Sequence, residues 1–574
     1  MDTEYRTDNA MDIEKKKIVI EFNVEMETKD GQILRANVYR PDDEEAHPTI
    51  LIREPYSKDL RPDWGFMSPH LYAREGFAVV LQDVRGSGVS DGTPVFDPGE
   101  TEDGLETIDW VAKQPWCNGK ISMIGLSYYG GTQIQVAQRR PEHLVACAPF
   151  MPMGYYFRHS IQLTAPKWFY TQFISAMRLG KFPYDKELLQ KMDALMSDSS
   201  VVYDLPEYDS RLLTGLPEIP NIEKEGRERI DNLNNAPFWH KNGWEVDVEN
   251  FDVPCLFGTG WYDGAKPYTL ELYGRAKKAK SEKTRENARL IVGPWCHGFT
   301  MTRRLNGVDF GPFASWDMFG LYEKVRDWNL HWATGADTPY MHEAPVQTFL
   351  MGANEWRGYS EWPPKEAKIV PYYIGSDGHA NSRMGDGTLS LTPCGTAESD
   401  TYDYDPLDPT PGNEMLHFIE KDEEREDTLV YTTPALTEPV NVTGMVTMKL
   451  FAKTDARDTD FFCRIADVFP DGRTLFLASG LVRARYRLAE RQPNFIEPGA
   501  VYEYEINLSG ISNLFLTGHS IRVDICSSSF PEYDRNHNTT DLIGKGIDTV
   551  VAHQTILHSA EYPSRILLPV IKAE

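Results

Sequence analysis

The stretch Lys120-Ile121-Ser122-Met123-Ile124-Gly125-Leu126-Ser127-Tyr128-Tyr129-Gly130-Gly131 constrains the fold of this chain more than any other. Ile121 to Ile124 reads as a buried strand, and Tyr128 to about Arg139 reads as a helix. Ser127 falls at the sharp turn between them. A strand that turns at once into a helix lifts the turn side chain above the sheet edge, and the helix N-terminus behind it favours negative charge there. Small residues are needed beside the serine, because strand and helix approach closely. Gly125 stands two residues before Ser127, where a G-x-S-x-G elbow wants it. Two residues after it stands Tyr129, and the glycines come only at 130 and 131. The strict pattern is broken, and on these residues alone Ser127 reads equally as a serine in an ordinary strand-to-helix turn.

The surrounding chain supplies a sheet for this turn. Ile18 to Tyr39 reads as a hairpin around Lys29-Asp30-Gly31-Gln32, whose Asp-Gly step allows positive φ. Thr49–Arg53, Phe77–Leu81 and Leu144–Pro149 are short apolar strands. Glu102–Lys113 has helical spacing through Leu105, Ile108, Trp110 and Val111. Strands without polar alternation, separated by helices, predict a mostly parallel sheet covered on both faces. Residues 1–17 read as a disordered leader. From 155 to 246 strand signals stop, and Ala165–Leu179 and Tyr184–Met196 read as helices of an inserted cap. Sheet character returns at Val253–Gly258 and Ala288–Val292. The α/β domain thus comes in two parts, 18–154 and 247–340. From 341 to 574 the chain is almost all strand and turn, starting with Val346–Met351 and continuing through seven further candidates to Val550–Leu557. That spacing suggests a sandwich or jelly roll. The polar connection 375–428 reads as loop.

At 574 residues the chain accommodates roughly two to four domains. Its net charge of -27 argues against nucleic-acid binding, which needs clustered Lys and Arg, and disfavours anionic membranes. No apolar run approaches the ~20 residues needed to cross a bilayer, and the polar N-terminus has no secretory h-region. The seven cysteines are scattered, with no CxxC or Cys/His cluster, so neither zinc nor another cofactor is implied and reduced, cytoplasmic thiols are expected.

A serine hydroxyl is a weak nucleophile until a base takes its proton and a carboxylate orients that base. On a doubly covered parallel sheet with an elbow, the three arrive in the order Ser, acid, His at strand ends. Gly260-Trp261-Tyr262-Asp263-Gly264 and Gly293-Pro294-Trp295-Cys296-His297-Gly298 supply Asp263 and His297 at two such ends. Alone, each is a turn or loop residue; together with Ser127, in order, they point to a triad. The Tyr128 N–H, beside the nucleophile, is the default oxyanion donor. The early loop Pro55-Tyr56-Ser57-Lys58 has no HGGG-like run, and the Tyr56 hydroxyl could replace the usual second amide. Otherwise Tyr56 is a half-buried aromatic. In the cap, Trp168, Phe169, Tyr170 and Phe173 could line an apolar acyl pocket or pack the cap on the sheet.

The stretches REPYSK (53–58), QDVRGSGVSDG (82–92), QPWCNGKISMIGLSYYG (114–130), GTGWYDG (258–264) and VGPWCHG (292–298) resemble the CocE/NonD, peptidase S15-like, hydrolase family. So do DVFPDGRTLFLASGLVRARYR (467–487) and GHSIRVDICSSSFPEYDRNHNT (518–539). The resemblance implies an α/β-hydrolase domain with an inserted helical cap and a C-terminal, galactose-binding-like jelly roll. It implies Ser127, Asp263 and His297 as the triad and Tyr56 with Tyr128 as the oxyanion hole. It also accounts for the absent glycine, since the family elbow is G-x-S-Y-x-G. Asp83 and Arg85 match a family motif and are expected as an ion pair bracing the elbow. Trp168, Phe169 and Trp261 are the expected substrate contacts. Family members that act on α-amino-acid esters are expected to carry acidic residues after the triad Asp; here Gly264-Ala265-Lys266 follow, which favours an uncharged or anionic acyl group. The expected reaction is hydrolysis of a small-molecule ester. X-Pro dipeptide release, cephalosporin-acylase-like amide cleavage, and a binding protein with a vestigial triad are the rivals. The jelly roll along the hydrolase domain offers surface for a homodimer.

Overall fold

The computed structural model describes residues 16–59, 65–92, 99–152, 231–232, 234–241, 245–297, 303–395, 398–412, 417–530, 532–541 and 548–572. The N-terminal sheet has ten strands. They are β1 (Ile18–Glu27), β2 (Ile33–Pro41), β3 (His47–Glu54), β4 (Ala78–Asp83), β5 (Cys117–Leu126), β6 (Leu144–Phe150), β7 (Leu256–Tyr262) and β8 (Arg289–Cys296). After a small ribbon, β9 (Arg304–Leu305) with β10 (Val308–Asp309), come β11 (Val346–Leu350) and β12 (Glu355–Tyr359). Their order across the sheet is β1-β2-β4-β3-β5-β6-β7-β8-β11-β12. From β4 through β11 neighbours are parallel, while β1, β2 and β12 attach antiparallel at the edges.

Parallel neighbours need a crossover long enough for a helix. Helices α1 (Pro69–Arg74), α2 (Gly99–Ala112) and α3 (Tyr128–Ala137) supply the early crossovers. Lys266–Ala276 and Leu321–Thr334 are the long later ones. β4, β6, β7 and β8 are buried at every position, covered on both faces, which is why their sequences are continuous rather than alternating. This is an α/β-hydrolase domain. The predicted hairpin is β1 with β2, paired antiparallel. The predicted leader and the cap segments 165–179 and 184–196, with Trp168 and Phe169, lie outside the described residues. The cap would fall in the connection between β6 and β7. Within the span 155–246 expected as the cap, the described helix is Ala236–Lys241, where Trp239 is buried and its indole N–H donates to the Asn232 carbonyl at 2.8 Å.

Two expectations need correction. Val346–Met351 does not open the β-rich region. It is β11, and Val346–Thr348 lie parallel against Leu290–Val292 of β8. A short apolar run announces a strand but not which sheet receives it, so the hydrolase sheet continues to Tyr359. The connection 375–428 is not all loop either. It contains the strands Thr388–Ser390 and Ser399–Tyr404. In the latter the buried positions are Asp400, Tyr402 and Tyr404, so a polar side chain sits on the inner face and hides the alternation.

The remaining strands, from Lys368–Gly375 to Arg565–Ile571, form an eleven-stranded all-β region. It is seated on the hydrolase sheet. The Met351 N–H donates to the Ser512 carbonyl at 2.9 Å, and the Leu514 N–H to the Met351 carbonyl at 2.8 Å. Trp261, Leu270, Phe349, Trp362 and Ile511 belong to one continuous hydrophobic core that spans both regions. Among the described residues no helix is long and apolar enough to cross a membrane.

Candidate active site

Ser127 follows the last residue of β5 and precedes the first of α3. Its backbone takes φ 63° and ψ -121°, a conformation that a non-glycine residue adopts at a cost of about 1–3 kcal/mol. The strain is held in place from both sides. The Ser127 N–H donates to the Phe150 carbonyl of β6 at 2.9 Å, and the Gly131 N–H donates to the Ser127 carbonyl at 3.0 Å. A Cβ at Gly125 would stand 2.3 Å from the Tyr129 Cβ. One at Gly130 would stand 2.9 Å from the Phe150 carbonyl oxygen and 3.0 Å from the Pro152 Cα. The close approach that needs a glycine on the helix side is therefore at position 130, three residues after the serine, where α3 crosses the end of β6.

Asp263 and His297 stand directly after β7 and β8, next along the same sheet edge. The His297 Nε2 lies 2.8 Å from the Ser127 Oγ, and its Nδ1 lies 3.0 Å from the Asp263 Oδ2. The tautomer that fits both carries the proton on Nδ1, donates it to Asp263, and leaves Nε2 to accept from the serine hydroxyl. Ser127 is 5% exposed, whereas the His297 side chain is 41% exposed, so the hydroxyl is sheltered while the imidazole reaches the surface. Partial desolvation of the ring works against its charged form. The Asp263 charge and hydrogen bond outweigh it, and His297 is held above its ordinary 6.5. Asp263 is fixed in turn, because its Oδ1 accepts the Ala265 N–H at 2.6 Å.

The Tyr128 N–H is the first amide of α3, beside the nucleophile, where the helix end carries positive potential. The Tyr128 side chain is buried and bonds Glu100. Burial pushes the Glu100 carboxyl up to about 7 although the Arg53 guanidinium pairs with it. Tyr56 follows β3. Its N–H donates to the Glu54 Oε2 at 2.9 Å, and its ring lies 5.8 Å from that of Tyr129 on α3, tilted by 42°. Of the two tyrosines expected around an oxyanion, Tyr128 thus opens α3 directly after Ser127, and Tyr56 lies on the loop after β3 with its ring against Tyr129 of α3. The assembly has the parts for acyl transfer: a strained nucleophile, a base, its orienting acid and a helix N-terminus.

Residues 30–299 match the X-Pro dipeptidyl-peptidase (S15 family), and residues 340–567 match the X-Pro dipeptidyl-peptidase C-terminal non-catalytic domain. The chain is 34% identical to the cocaine esterase of Rhodococcus sp. (strain MB1 Bresler), over 96% of this chain and 98% of that protein. It belongs to the S15-like CocE/NonD hydrolase family. An α-amino acid ester hydrolase has the same fold, with a TM-score of 0.77 at 22% identity over 99% of this chain and 100% of its own. An aminopeptidase from a marine sediment Thaumarchaeota archaeon superposes with a TM-score of 0.75 at 24% identity, over 100% and 99% of the two chains. A CocE/NonD family hydrolase of Staphylococcus aureus does so at 0.69 and 18%, over 97% and 94%.

Within this CocE/NonD hydrolase, two expectations about side chains do not match their surroundings. Trp261 is not in a position to touch substrate. It is 1% exposed, its indole N–H donates to the Phe349 carbonyl at 2.8 Å, and its ring packs on Trp362. The register of β7 against β8 shifts between Gly260 and Tyr262, and Trp261 faces the seam with the β-rich region. Asp83 and Arg85 do not pair with each other. The Asp83 oxygens accept the Lys58 and Val89 N–H groups at 2.7 and 3.0 Å, while Arg85 binds Asp30 and Asp103. Asp83 ends β4 and Arg85 lies two residues beyond it, so nearness in sequence does not give the two charges common partners. Sequence reasoning also passed over Glu54 and Glu100. Glu54 sits inside REPYSK, and a carboxyl flanked by Arg and Pro at the end of an apolar strand was the available signal.

Proposed function

We propose that this protein is a serine esterase whose nucleophile is Ser127. The observation that carries the reading is the continuous hydrogen-bonded line Asp263–His297–Ser127 at the ends of β7, β8 and β5, on one edge of the sheet. The Ser127 Oγ attacks the ester carbonyl and its proton passes to the His297 Nε2. The Tyr56 hydroxyl and the Tyr128 N–H receive the oxyanion. Collapse expels the alcohol, which takes the proton from His297. Water, deprotonated by the same nitrogen, then attacks the acyl-enzyme; the carboxylic acid leaves and Ser127 regains its proton.

Ester rather than peptide chemistry is favoured by two observations. The relative that is 34% identical is named for an ester substrate. The segment after Asp263 offers no carboxylate for a free amine, since it runs Gly264-Ala265-Lys266 and Lys266 is buried. The second reading, release of X-Pro dipeptides, is favoured by the matching S15 family's description. The test is intact-mass analysis after a fluorophosphonate probe, wild type beside Ser127→Ala, followed by a panel of ester, amide and X-Pro-anilide substrates. One adduct on wild type and none on the variant is expected, with ester turnover falling on the order of 10⁴–10⁶-fold in the variant. An unlabelled, folded wild type would overturn the triad reading. Turnover of X-Pro-anilides without ester turnover would move the second reading to first place.

A further inference from the structure

The loop that carries Tyr56 is held by two carboxyl groups that face each other across adjacent strands. Glu54 ends β3, Asp83 ends β4, and the two are register partners in the parallel pair. Their exposures are 1% and 0%. Each takes one backbone N–H from the same loop: Glu54 Oε2 accepts from Tyr56 at 2.9 Å, and Asp83 Oδ1 accepts from Lys58 at 2.7 Å. Ser57, between the two anchored amides, sits at φ 80°, a conformation that holds only when its neighbours are fixed.

Charge counting at this clamp does not close with both groups ionised. Among the described residues the cation facing it is the Lys58 ammonium, buried and 3.7 Å from Asp83 Oδ2. That ammonium also binds Asp59 Oδ2 and Asn23 Oδ1, each at 2.8 Å. The α3 side contributes the Tyr129 hydroxyl, 3.4 Å from Glu54 Oε2. Two buried carboxylates in contact cannot share so divided a cation. Glu54 Oε1 is moreover a buried oxygen with no partner if it is only an acceptor. A proton on it supplies the missing bond, an O–H donated to Asp83. Asp83, which already accepts from Lys58 and Val89, is the natural anion. The fold also makes room for it: a Cβ at Gly88, itself at φ 47°, would fall 2.2 Å from Asp83 Oδ2.

We propose that Glu54 is a neutral carboxylic acid sharing one proton with Asp83, and that this acid pair is the positioning device for the Tyr56 loop. The inference deepens the esterase reading and rests on it for the consequence to catalysis. Burial and the Asp83 contact raise the Glu54 carboxyl well above its ordinary range, consistent with the geometry. Removal of the shared proton at high pH leaves two anions at one clamp and loosens the Tyr56 anchor.

The test compares wild type with Glu54→Gln and Glu54→Leu. The amide of Gln keeps an acceptor for Tyr56 and a donor for Asp83 without an ionisable proton. Because the native acid holds its proton more tightly than the unfolded chain does, wild type loses this stabilisation as pH rises from the unfolded value towards the native one. The Gln variant has no such loss. The Tm of Glu54→Gln minus that of wild type is therefore expected to grow from pH 5 to pH 9; contributions from other titrating groups cancel in the difference. The Leu variant cannot anchor Tyr56, and its kcat for an ester is expected to fall tenfold or more, on the order of 10–10³-fold, below that of the Gln variant at similar KM. A pH-independent Tm difference overturns the shared proton. Equal kcat in the Gln and Leu variants overturns the positioning role. The Tm comparison stands if the Leu variant fails to fold. It also stands if wild type proves unreactive towards the fluorophosphonate, so failure of the esterase reading is read separately.

Discussion

At the scale of single residues, the site is controlled by which protons are where. His297 must be neutral to accept the Ser127 proton, and its Asp263 partner holds it above 6.5. Activity is therefore expected to rise with pH through a single limb whose midpoint lies above 6.5 and to fall away below it. A kcat/KM profile on a soluble ester reads this directly. Asp263→Asn withdraws the stabilising charge and disfavours the productive tautomer. The limb should move to lower pH while kcat drops on the order of 10⁴-fold; a variant with an unmoved limb would show that Asp263 does not face the titrating group. Tyr56→Phe tests the oxyanion assignment more narrowly. If the phenol O–H bonds the oxyanion only as charge develops, kcat falls about 10²–10³-fold with little change in KM. A Tyr56→Phe enzyme with wild-type kcat would leave the Tyr128 amide without its proposed partner.

At the scale of elements, the turn from β5 into α3 couples catalysis to packing. The Phe150 carbonyl both accepts the Ser127 N–H and sits where a Gly130 side chain would go. Gly130→Ala meets backbone on β6 rather than a flexible side-chain tip, so either α3 lifts or β6 recedes. A loss of about 1–3 kcal/mol of stability is expected, accompanied by lower kcat because the serine moves with its hydrogen bond. Thermal unfolding and kcat measured on one preparation check both. Much of this element was legible in advance. Ile121–Ile124 gave the strand, Gly125 the close approach, and Asp263 and His297 fell at strand ends because VPCLFGTG and ARLIV are apolar runs that stop abruptly. What could not be read was pairing. Periodicity assigns β11 to a strand but not to the hydrolase sheet, and Asp400 on an inner face disguises Ser399–Tyr404. Ion-pair partners were similarly hidden, since Arg85 reaches Asp30 and Asp103 while its near neighbour Asp83 turns to the Tyr56 loop.

At the scale of the whole molecule, the β-rich region is structurally part of the catalytic one. Strand β7 delivers Asp263, yet its last two residues point into the seam: Trp261 packs on Trp362, and the Tyr262 hydroxyl lies 3.1 Å from the Met351 sulfur. The helix that follows Asp263 carries Leu270 into the same seam, where a side chain at Gly510 would meet it at 2.8 Å. A core shared in this way has no plane along which the two regions can separate without exposing large aromatics, so they should melt together. Leu270→Ala is the sharpest probe, because it empties the seam without touching the triad. It is expected to remove about 2–5 kcal/mol and to shift one calorimetric transition as a unit. Because Leu270 stands in the second turn of the helix that starts three residues after Asp263, kcat should fall as well, more than KM changes, as the acid loses its fixed position relative to His297. Two separable transitions, with only one displaced by the substitution, would mean that the regions fold independently and that the seam is a contact rather than a core.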